Sequence, residues 1–399
     1  MIQILFSIAL LAETRIDPPA REQSGMAFLE RGPTGEVYLS WTESEAATNT
    51  LRFAQWKGNG WSPAETIATG KNWFVNWADF PAIAAHPDGS LYAHWLPRPD
   101  GAQKWGYGIR IARRDVKTDK WSQSTDLNTK NNVTYAGFLS FITAGPIAGA
   151  VYLGPPPGEK PHDHDHDEES SYKTVRFAAF NPDGSLLSDR EIDGDACSCC
   201  QTAVAATDKG LIVAYRDHLP GEIRDISVAR FSDGAWTQPR TLYPDGWKIN
   251  GCPTDGPSIT ASRNRAAIGW LTRANGIAKV QASFSSDSGA TFSKPVRIDD
   301  GNPLGRASIV GFDDTSYLAV WLEKLSEPLG HVAVRVRRIS HDGSVFPART
   351  IASGMGGRAM GFPKIVISGE RVFIAWRDDR VRVSLLSKSE FMPQRDQPR

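Results

Sequence analysis

The chain of 399 residues has no excess of charge of either sign, because 45 Lys and Arg residues are matched by 45 Asp and Glu residues. Proteins that bind the phosphate backbone of nucleic acids carry a clustered basic excess, so a nucleic-acid partner is not expected. The same balance disfavours a polybasic anchor to a membrane surface. The sequence also lacks a glycine-rich phosphate-binding loop and a Ser-His-Asp nucleophile elbow, so no nucleotide cofactor is expected.

Long apolar segments are missing except for residues 2–12, which read IQILFSIALLA. This run is too short to cross a bilayer, but it is typical of the apolar centre of an export signal. We therefore expect residues 1–12 to be an export signal and residues 13–399 to form one domain, periplasmic or secreted. The alternative is that the run forms a buried first strand. No membrane span is expected.

Segments with helical periodicity are also missing, and a repeat of short strands takes their place. An apolar strand ending in an aromatic residue recurs seven times, at Trp41, Trp95, Tyr152, Tyr215, Trp270, Trp321 and Trp376. Each copy lies among three further short strands joined by turns. Four antiparallel strands per repeat predict an all-β propeller, with seven blades as the main interpretation and six as the alternative.

The last repeat has no fourth strand before the chain ends. Residues 14–17, Thr-Arg-Ile-Asp, resemble residues 296–299, Val-Arg-Ile-Asp, of the fifth repeat. An N-terminal strand that completes the last blade would close the ring and cover an exposed sheet edge. We therefore predict that the two ends of the chain share one blade.

One turn carries information about the family. Residues 285–292 read Ser-Ser-Asp-Ser-Gly-Ala-Thr-Phe and fit the Asp-box pattern Ser-x-Asp-x-Gly-x-Thr-aromatic. In such a turn the Ser and Asp side chains bond nearby amides, Gly permits a positive φ and the aromatic ring packs between blades. The chain thus resembles the sialidase-like (BNR/Asp-box) propellers. The resemblance implies a fold more than a reaction, because the Asp box is a structural turn between the two outer strands.

Sialidases of this family use an arginine triad for the substrate carboxylate, a Tyr–Glu nucleophile pair, an Asp acid/base and an early Arg-Ile-Pro motif. The nearest string here, Arg15-Ile16-Asp17, breaks that motif, so catalytic residues are not carried over from the family. The chain further resembles uncharacterised exported bacterial members that are called sialidase-like. The shared blocks are Cys199-Cys200-Gln201-Thr202, Tyr215-Arg216-Asp217, Glu222-Ile223-Arg224-Asp225, Asp245-Gly246-Trp247 and Cys252-Pro253.

Unusual polar residues are predicted to meet on one face of the ring. The connection from each outer strand to the next inner strand shares a face with the loop between the two middle strands, and propeller ligands commonly bind there. The candidate catalytic carboxylates are Asp217, Glu222 and Asp225, and the candidate substrate-binding arginines are Arg216, Arg224 and Arg377. Arginine pairs bind carboxylate or sulfate groups bidentately. The alternative is a network of ion pairs that holds adjacent blades together, which the recurrence of aromatic-Arg-Asp at Arg377 favours.

The candidate metal ligands are two groups of soft or imidazole donors. They are Cys197, Cys199, Cys200 and Cys252, on neighbouring loops of that face, and His162, His164 and His166 in a His/Asp run. Three interpretations of the cysteines stay open: disulfides, in which Cys199 pairs with Cys200 or either pairs with Cys252; a copper or zinc site; or a nucleophilic thiol. The His/Asp run suits metal capture, with a solvated acidic insertion as the alternative.

Three functions follow as hypotheses. The resemblance implies a glycan-processing hydrolase that acts on a bound sugar acid. The cysteines and histidines suggest an exported propeller that binds copper or zinc. The broken catalytic motif suggests a non-catalytic scaffold whose partner is a glycan, a small molecule or a protein.

Overall fold

The computed structural model of the chain describes residues 14–102, 106–127, 136–144, 148–155 and 172–392. Seven antiparallel sheets contain all its named strands, so the prediction of seven blades is confirmed and the six-bladed alternative is wrong. The predicted export signal, residues 1–12, lies outside the described residues. So do His162, His164 and His166.

The strands of the first half of the chain are β1 (Thr14–Arg15), β2 (Gly25–Arg31), β3 (Val37–Glu45), β4 (Thr48–Gln55), β5 (Glu65–Gly70), β6 (Ala82–Ala85), β7 (Leu91–Trp95), β8 (Arg110–Arg114), β9 (Thr125–Asp126), β10 (Gly137–Ile142), β11 (Gly149–Gly154), β12 (Tyr172–Phe180) and β13 (Leu186–Cys197). Those of the second half are β14 (Ala203–Thr207), β15 (Gly210–Arg216), β16 (Ile226–Ser232), β17 (Ala235–Trp236), β18 (Arg240–Thr241), β19 (Ser258–Ser262), β20 (Arg265–Thr272), β21 (Lys279–Ser285), β22 (Val296–Arg297), β23 (Pro303–Asp313), β24 (Ser316–Lys324), β25 (His331–Ser340), β26 (Arg349–Met355), β27 (Lys364–Ser368), β28 (Arg371–Arg377) and β29 (Val381–Ser387).

Blades 1 to 6 are formed by β2–β5, β6–β9, β10–β13, β14–β18, β19–β22 and β23–β26, and blade 7 by β27–β29 together with β1. The helices of the described residues are 3-10 turns of three or four residues, Ala274–Gly276, Arg358–Met360 and Lys388–Phe391. None of them is long and apolar enough to cross a membrane.

The N-terminal strand closes the ring as predicted. Thr14 and Arg15 pair with Leu385 and Ser384 of β29, and the amide of Ile16 donates to the carbonyl of Val383 at 3.0 Å. This pairing joins the start of the described chain to its last strand and occupies the outer edge of blade 7.

The core is a series of apolar layers between adjacent blades. The aromatic residues of the repeat are all buried, with exposed fractions between 0% for Trp41 and 6% for Trp95. Each apolar cluster contains side chains of two neighbouring blades, and the cluster of blades 3 and 4 also takes in Ala78 and Phe362 from other connections. Another cluster packs Trp270 of blade 5 against Val228 of blade 4. Burial of an aromatic or aliphatic side chain stabilises a fold by about 1.5–3 kcal/mol, so these layers hold the ring closed.

The Asp-box turn has the predicted conformation and place, between β21 and β22. Asp287 accepts hydrogen bonds from the Thr291 amide at 2.8 Å and from the Thr291 hydroxyl at 2.6 Å. Gly289 has a φ of 78°, in the left-handed region. Although partial burial opposes it, hydrogen bonding from Thr291 and Ser285 lowers the pKa of Asp287 to about 2. Phe292 packs in the cluster between blades 4 and 5.

We call the face with the β13–β14, β18–β19 and β15–β16 connections the loop face. The connection between β5 and β6, residues 71–81, covers its centre. Trp77 of this connection stacks on Phe362 of blade 7 with ring centroids 6.0 Å apart. Gln201, before blade 4, donates from its side chain to the carbonyl of Ala78 and accepts from the Gly256 amide at 2.8 Å. Contacts with several blades therefore hold the β5–β6 connection in place over the centre of the loop face.

Candidate functional site

Two of the three candidate substrate-binding arginines bind backbone carbonyls. Arg216, at the end of β15, is 1% exposed, and its guanidinium donates to the carbonyls of Asp255 (2.9 and 2.8 Å), Arg224 (2.6 Å) and Leu271 (2.8 Å). Arg377, at the end of β28, donates to the carbonyls of Ser24 at 2.8 Å and Ala359 at 2.9 Å.

Both arginines occupy the same place in their repeats, and each reaches the connection that leads into the following blade. These bonds connect adjacent blades, as the alternative interpretation expected, but the partners are backbone carbonyls and not the carboxylates of the expected ion pairs. Substrate binding by Arg216 and Arg377 stays a prediction, and their guanidiniums already have carbonyl partners.

Two of the three candidate carboxylates are buried and organise loops. Asp225 is 2% exposed and accepts hydrogen bonds from the amides of Gly246 at 2.8 Å and Trp247 at 2.9 Å. Asp217 is 5% exposed and accepts from the His218 amide at 2.8 Å and from the Ser227 hydroxyl at 2.5 Å. Burial raises the pKa of Asp217 to about 7, although the Ser227 hydrogen bond opposes the shift. A catalytic role for either carboxylate stays a prediction.

The third candidate carboxylate, Glu222, belongs to a row of ionisable groups that we call the polar row: Asp195, His218, Glu222 and Arg224. His218 Nδ1 lies 2.7 Å from Asp195 Oδ1, and His218 Nε2 lies 3.4 Å from Glu222 Oε1. Arg224 Nη2 donates to Glu222 Oε2 at 2.7 Å. The side chains of Asp195 and Glu222 are 52% and 39% exposed, so both carboxylates face solvent.

Arg224 differs from the other two arginines because two buried nitrogens of its guanidinium are unpaired among the described residues. The side chain is 1% exposed, and Nε and Nη1 have no hydrogen-bond partner among the described residues. Burial of an unpaired donor costs about 1–3 kcal/mol or more when it is charged. Glu222 beside it has a left-handed backbone with φ of 63°. Strained backbone and unpaired buried charge are typical of functional sites.

The cysteines meet on the loop face, as the strand order predicted. Cys199 and Cys252 form a disulfide, which is one of the pairings expected from the sequence, and Cys197 and Cys200 are free and buried. Cys197 Sγ lies 3.8 Å from Cys199 Sγ and 3.8 Å from Cys200 Sγ. A hydrogen bond with Cys200 lowers the pKa of the Cys197 thiol, and the charges of nearby arginines act in the same direction. Metal binding by these residues stays a prediction.

A group of cations around Trp77, near the centre of the loop face, was missed by the sequence reasoning. The guanidinium carbon of Arg306 lies 4.3 Å from the Trp77 ring centroid, and that of Arg358 lies 5.9 Å from it. Lys364 Nζ lies 5.8 Å from the Phe362 ring, and burial lowers the pKa of this lysine to about 8. These residues come from three connections or strands far apart in the chain and match no local motif. They can be recognised as a group only in the folded ring, which brings their side chains close together.

Asp255 also lies near the centre of the loop face, and its backbone carbonyl accepts hydrogen bonds from the Arg216 guanidinium. Its Oδ2 accepts from the Arg306 amide at 2.7 Å, whereas its buried Oδ1 has no partner among the described residues. Burial raises the pKa of Asp255 to about 6. On the opposite face, a groove of about 530 Å³ between blades 7 and 1 contains none of the predicted site residues.

Solved structures with a similar fold include enzymes that process glycans. An ulvan lyase of polysaccharide lyase family PL25, solved with -[GlcA(1-4)Rha3S]- bound, is 11% identical, with a TM-score of 0.56 over 96% of this chain and 100% of that chain. An alpha-L-arabinanase from Penicillium chrysogenum is 11% identical, with a TM-score of 0.50 over 95% of this chain and 99% of that chain. The Hadza microbial sialidase Hz136 is 14% identical, with a TM-score of 0.44 over 75% of this chain.

The chain spans 63% of the length of that sialidase. At these identities the likeness is one of fold. No family model matches the sequence, and no curated protein matches it. The structure is thus a seven-bladed propeller, and the arabinanase and the ulvan lyase are solved glycan-processing enzymes with a similar fold.

Proposed function

We propose that the chain is an exported propeller that processes an acidic glycan at the loop face. The observation that carries the proposal is the polar row, in which an imidazole lies between two solvent-exposed carboxylates. Its buried guanidinium has two donors without a partner in the part of the chain that the structure describes. Such a row offers both proton transfer and recognition of an anion at one place. Few purely structural ion pairs combine exposed acids with an unpaired buried cation.

Recognition is assigned to Arg224 and to the cations near Trp77. A planar guanidinium with free donors matches the two oxygens of a sugar carboxylate or sulfate. Arg306, Arg358 and Lys364 add positive charge near the centre of the same face, which attracts an anionic ligand. The ulvan lyase of similar fold was solved with a glucuronate-containing oligosaccharide, which supports the choice of an acidic sugar.

Proton transfer is assigned to Asp195, His218 and Glu222. Partial desolvation raises the pKa of the half-exposed Asp195 carboxyl, which suits a group that donates a proton to a leaving oxygen. Glu222, paired with the Arg224 guanidinium, is the carboxylate that activates water or abstracts a proton, and His218 links the two. Hydrolysis and elimination both need such an acid and base, so the row suits either reaction.

A glycan panel tests the proposal. The protein is incubated with sialosides and with uronate-containing polysaccharides, and new reducing ends and the ultraviolet absorbance of unsaturated products are measured. We expect turnover of at least one acidic glycan, and kcat/KM of Glu222→Gln lower by about 10²–10⁴-fold. The matched control is Glu370→Gln, which removes a carboxylate from the groove on the opposite face and leaves turnover unchanged.

Three results would contradict the proposal in different ways. Equal losses in both variants would place the effect outside the polar row. Binding of acidic glycans without turnover would identify a non-catalytic scaffold. Absence of both binding and turnover across the panel would reject the acidic glycan as ligand.

A further inference from the structure

The cysteines form a compact group that the polar row does not use. The chain has four cysteines, and the described fold brings all of them to the β13–β14 and β18–β19 connections. Cys197 ends β13, and the turn that follows directs Cys199 and Cys200 toward it. Ligand atoms of these three residues all lie within 4.8 Å of one another, a spacing that suits a single bound ion.

The donor set selects the kind of ion. Thiolates are soft ligands that favour copper(I) or zinc. Structural zinc sites take four protein ligands in a tetrahedron. Among the described residues the group contains three sulfurs and no imidazole or carboxylate, so it supplies three soft ligands. A three-sulfur set suits copper(I), which accepts low coordination numbers and carries a single charge.

Buried positive charge beside the sulfurs supports an anionic cluster. Three thiolates with one copper(I) ion carry a net charge of two negative units, which is costly to bury unless it is compensated. Arg216 and Arg224, each 1% exposed, both act electrostatically on Cys197.

The disulfide controls whether the third sulfur is available. Cys199 belongs to the three-sulfur group but is bonded to Cys252, whose sulfur is not part of that group. We propose that Cys197, Cys199 and Cys200 bind one copper(I) ion, and that the Cys199–Cys252 disulfide blocks this site until it is reduced. Cys252 is then the residue that switches the site and is not a ligand.

A dithiol serves as the reductant of the Cys199–Cys252 disulfide. The dithiol transfers two electrons and two protons to the Cys199–Cys252 bond, which becomes two thiols while the reductant becomes a disulfide. Copper(I) then replaces one proton on each of Cys197, Cys199 and Cys200. Three protons are released, and no change in the oxidation state of copper is needed.

Copper(I) titration against a chromophoric chelator, under anaerobic conditions, tests the switch. The protein is reduced beforehand and the reductant is removed by anaerobic gel filtration, because thiols and phosphines are both soft ligands that would compete for copper(I). We expect oxidised wild-type protein to bind weakly, and reduced wild-type protein to bind one equivalent. Cys252→Ser frees Cys199 without reductant, so this variant should bind one equivalent in both states.

Removal of a ligand gives the opposite result. Cys197→Ser and Cys200→Ser should weaken copper(I) binding by at least about 100-fold, since even loss of an outer-shell partner costs about 10–100-fold. Circular dichroism and thermal unfolding verify that each variant is folded. X-ray absorption at the copper edge should give three sulfur neighbours in Cys252→Ser, independently of any effect on stability.

Several outcomes would overturn the inference. The inference is wrong if reduced wild-type protein binds copper(I) no more tightly than Cys197→Ser, or if oxidised wild-type protein binds it as tightly as Cys252→Ser. Weaker binding by Cys252→Ser than by the reduced wild type would make Cys252 a ligand. These measurements use no glycan, so failure here and failure of the glycan assays are separate results.

Discussion

Replacement of Arg216 by alanine should destabilise the ring strongly, because one buried guanidinium serves three carbonyls of two blades. Its bonds to Asp255, Arg224 and Leu271 are 2.6–2.9 Å long. The alanine variant leaves these carbonyls unpaired, at about 1–3 kcal/mol each where water cannot enter. It also removes the contact between the guanidinium and the Trp247 ring, at 4.7 Å. Water will satisfy part of the loss, so we expect the free energy of unfolding to fall by about 3–5 kcal/mol.

Arg377 provides the matched comparison, since it occupies the same position in repeat seven. It binds two carbonyls, and its bond to Ala359 is exposed. Water replaces exposed bonds at little cost, so Arg377→Ala should lower the free energy of unfolding by about 1 kcal/mol. Arg216→Lys should lie between wild type and Arg216→Ala, because an ammonium keeps the charge without the planar fork.

Urea unfolding of the four proteins, followed by tryptophan fluorescence, measures these differences at matched conditions. The reasoning is refuted if Arg216→Ala lies within about 1 kcal/mol of wild type, which is less than one unpaired buried carbonyl costs. It is also refuted if Arg377→Ala destabilises as much as Arg216→Ala. The loss in the free energy of unfolding would then not depend on how deeply the removed hydrogen bonds are buried.

Two further predictions concern pH and closure. The pKa of Asp217 rises on folding from its ordinary 3.8 to about 7, so its contribution to stability is complete below pH 4 and is lost as pH rises to about 7. The Tm of the wild type minus the Tm of Asp217→Asn should therefore fall over that range. A difference in Tm that stays constant with pH would contradict this prediction. Deletion of the chain through Ile16 removes β1 and the bond from Trp61 Nε1 to the Ile16 carbonyl, at 2.8 Å. Lower Tm and self-association in light scattering are expected from the exposed edge of β29, and an unchanged Tm with an unchanged light-scattering mass would disprove a closing role for β1.

The fold was predictable because each blade repeats the same local solution. An apolar strand ending in an aromatic residue needs a neighbouring blade on either side to be buried. Only a closed ring gives each of the seven repeats two neighbouring blades. The N-terminal strand was predictable for the same reason, since the last repeat lacked one strand. The Asp-box turn followed from side chains that bond amides within a few residues, which makes its geometry a local property.

The candidate site was predictable in place but only partly in its members. The strand order put Arg216, Asp217 and the cysteines on one face, and the structure places them there. The strand order could not reveal which of the charged side chains on this face are buried. Asp225 and Glu222 are three residues apart, yet Asp225 accepts two backbone amides while Glu222 faces solvent. The difference arises from the loop containing Trp247, which packs over one carboxylate and not over the other.

The sequence by itself determined the β class, the number of repeats, the closure of the ring and the face on which unusual residues meet. Periodicity and local turns decide these features, because each depends on neighbours a few residues apart or on one residue type per repeat. Only the tertiary structure decided that Cys199 pairs with Cys252, that Arg306 lies over Trp77, and that Arg224 keeps unpaired donors. These contacts join residues from separate connections, and their partners depend on how the blades are arranged around the ring.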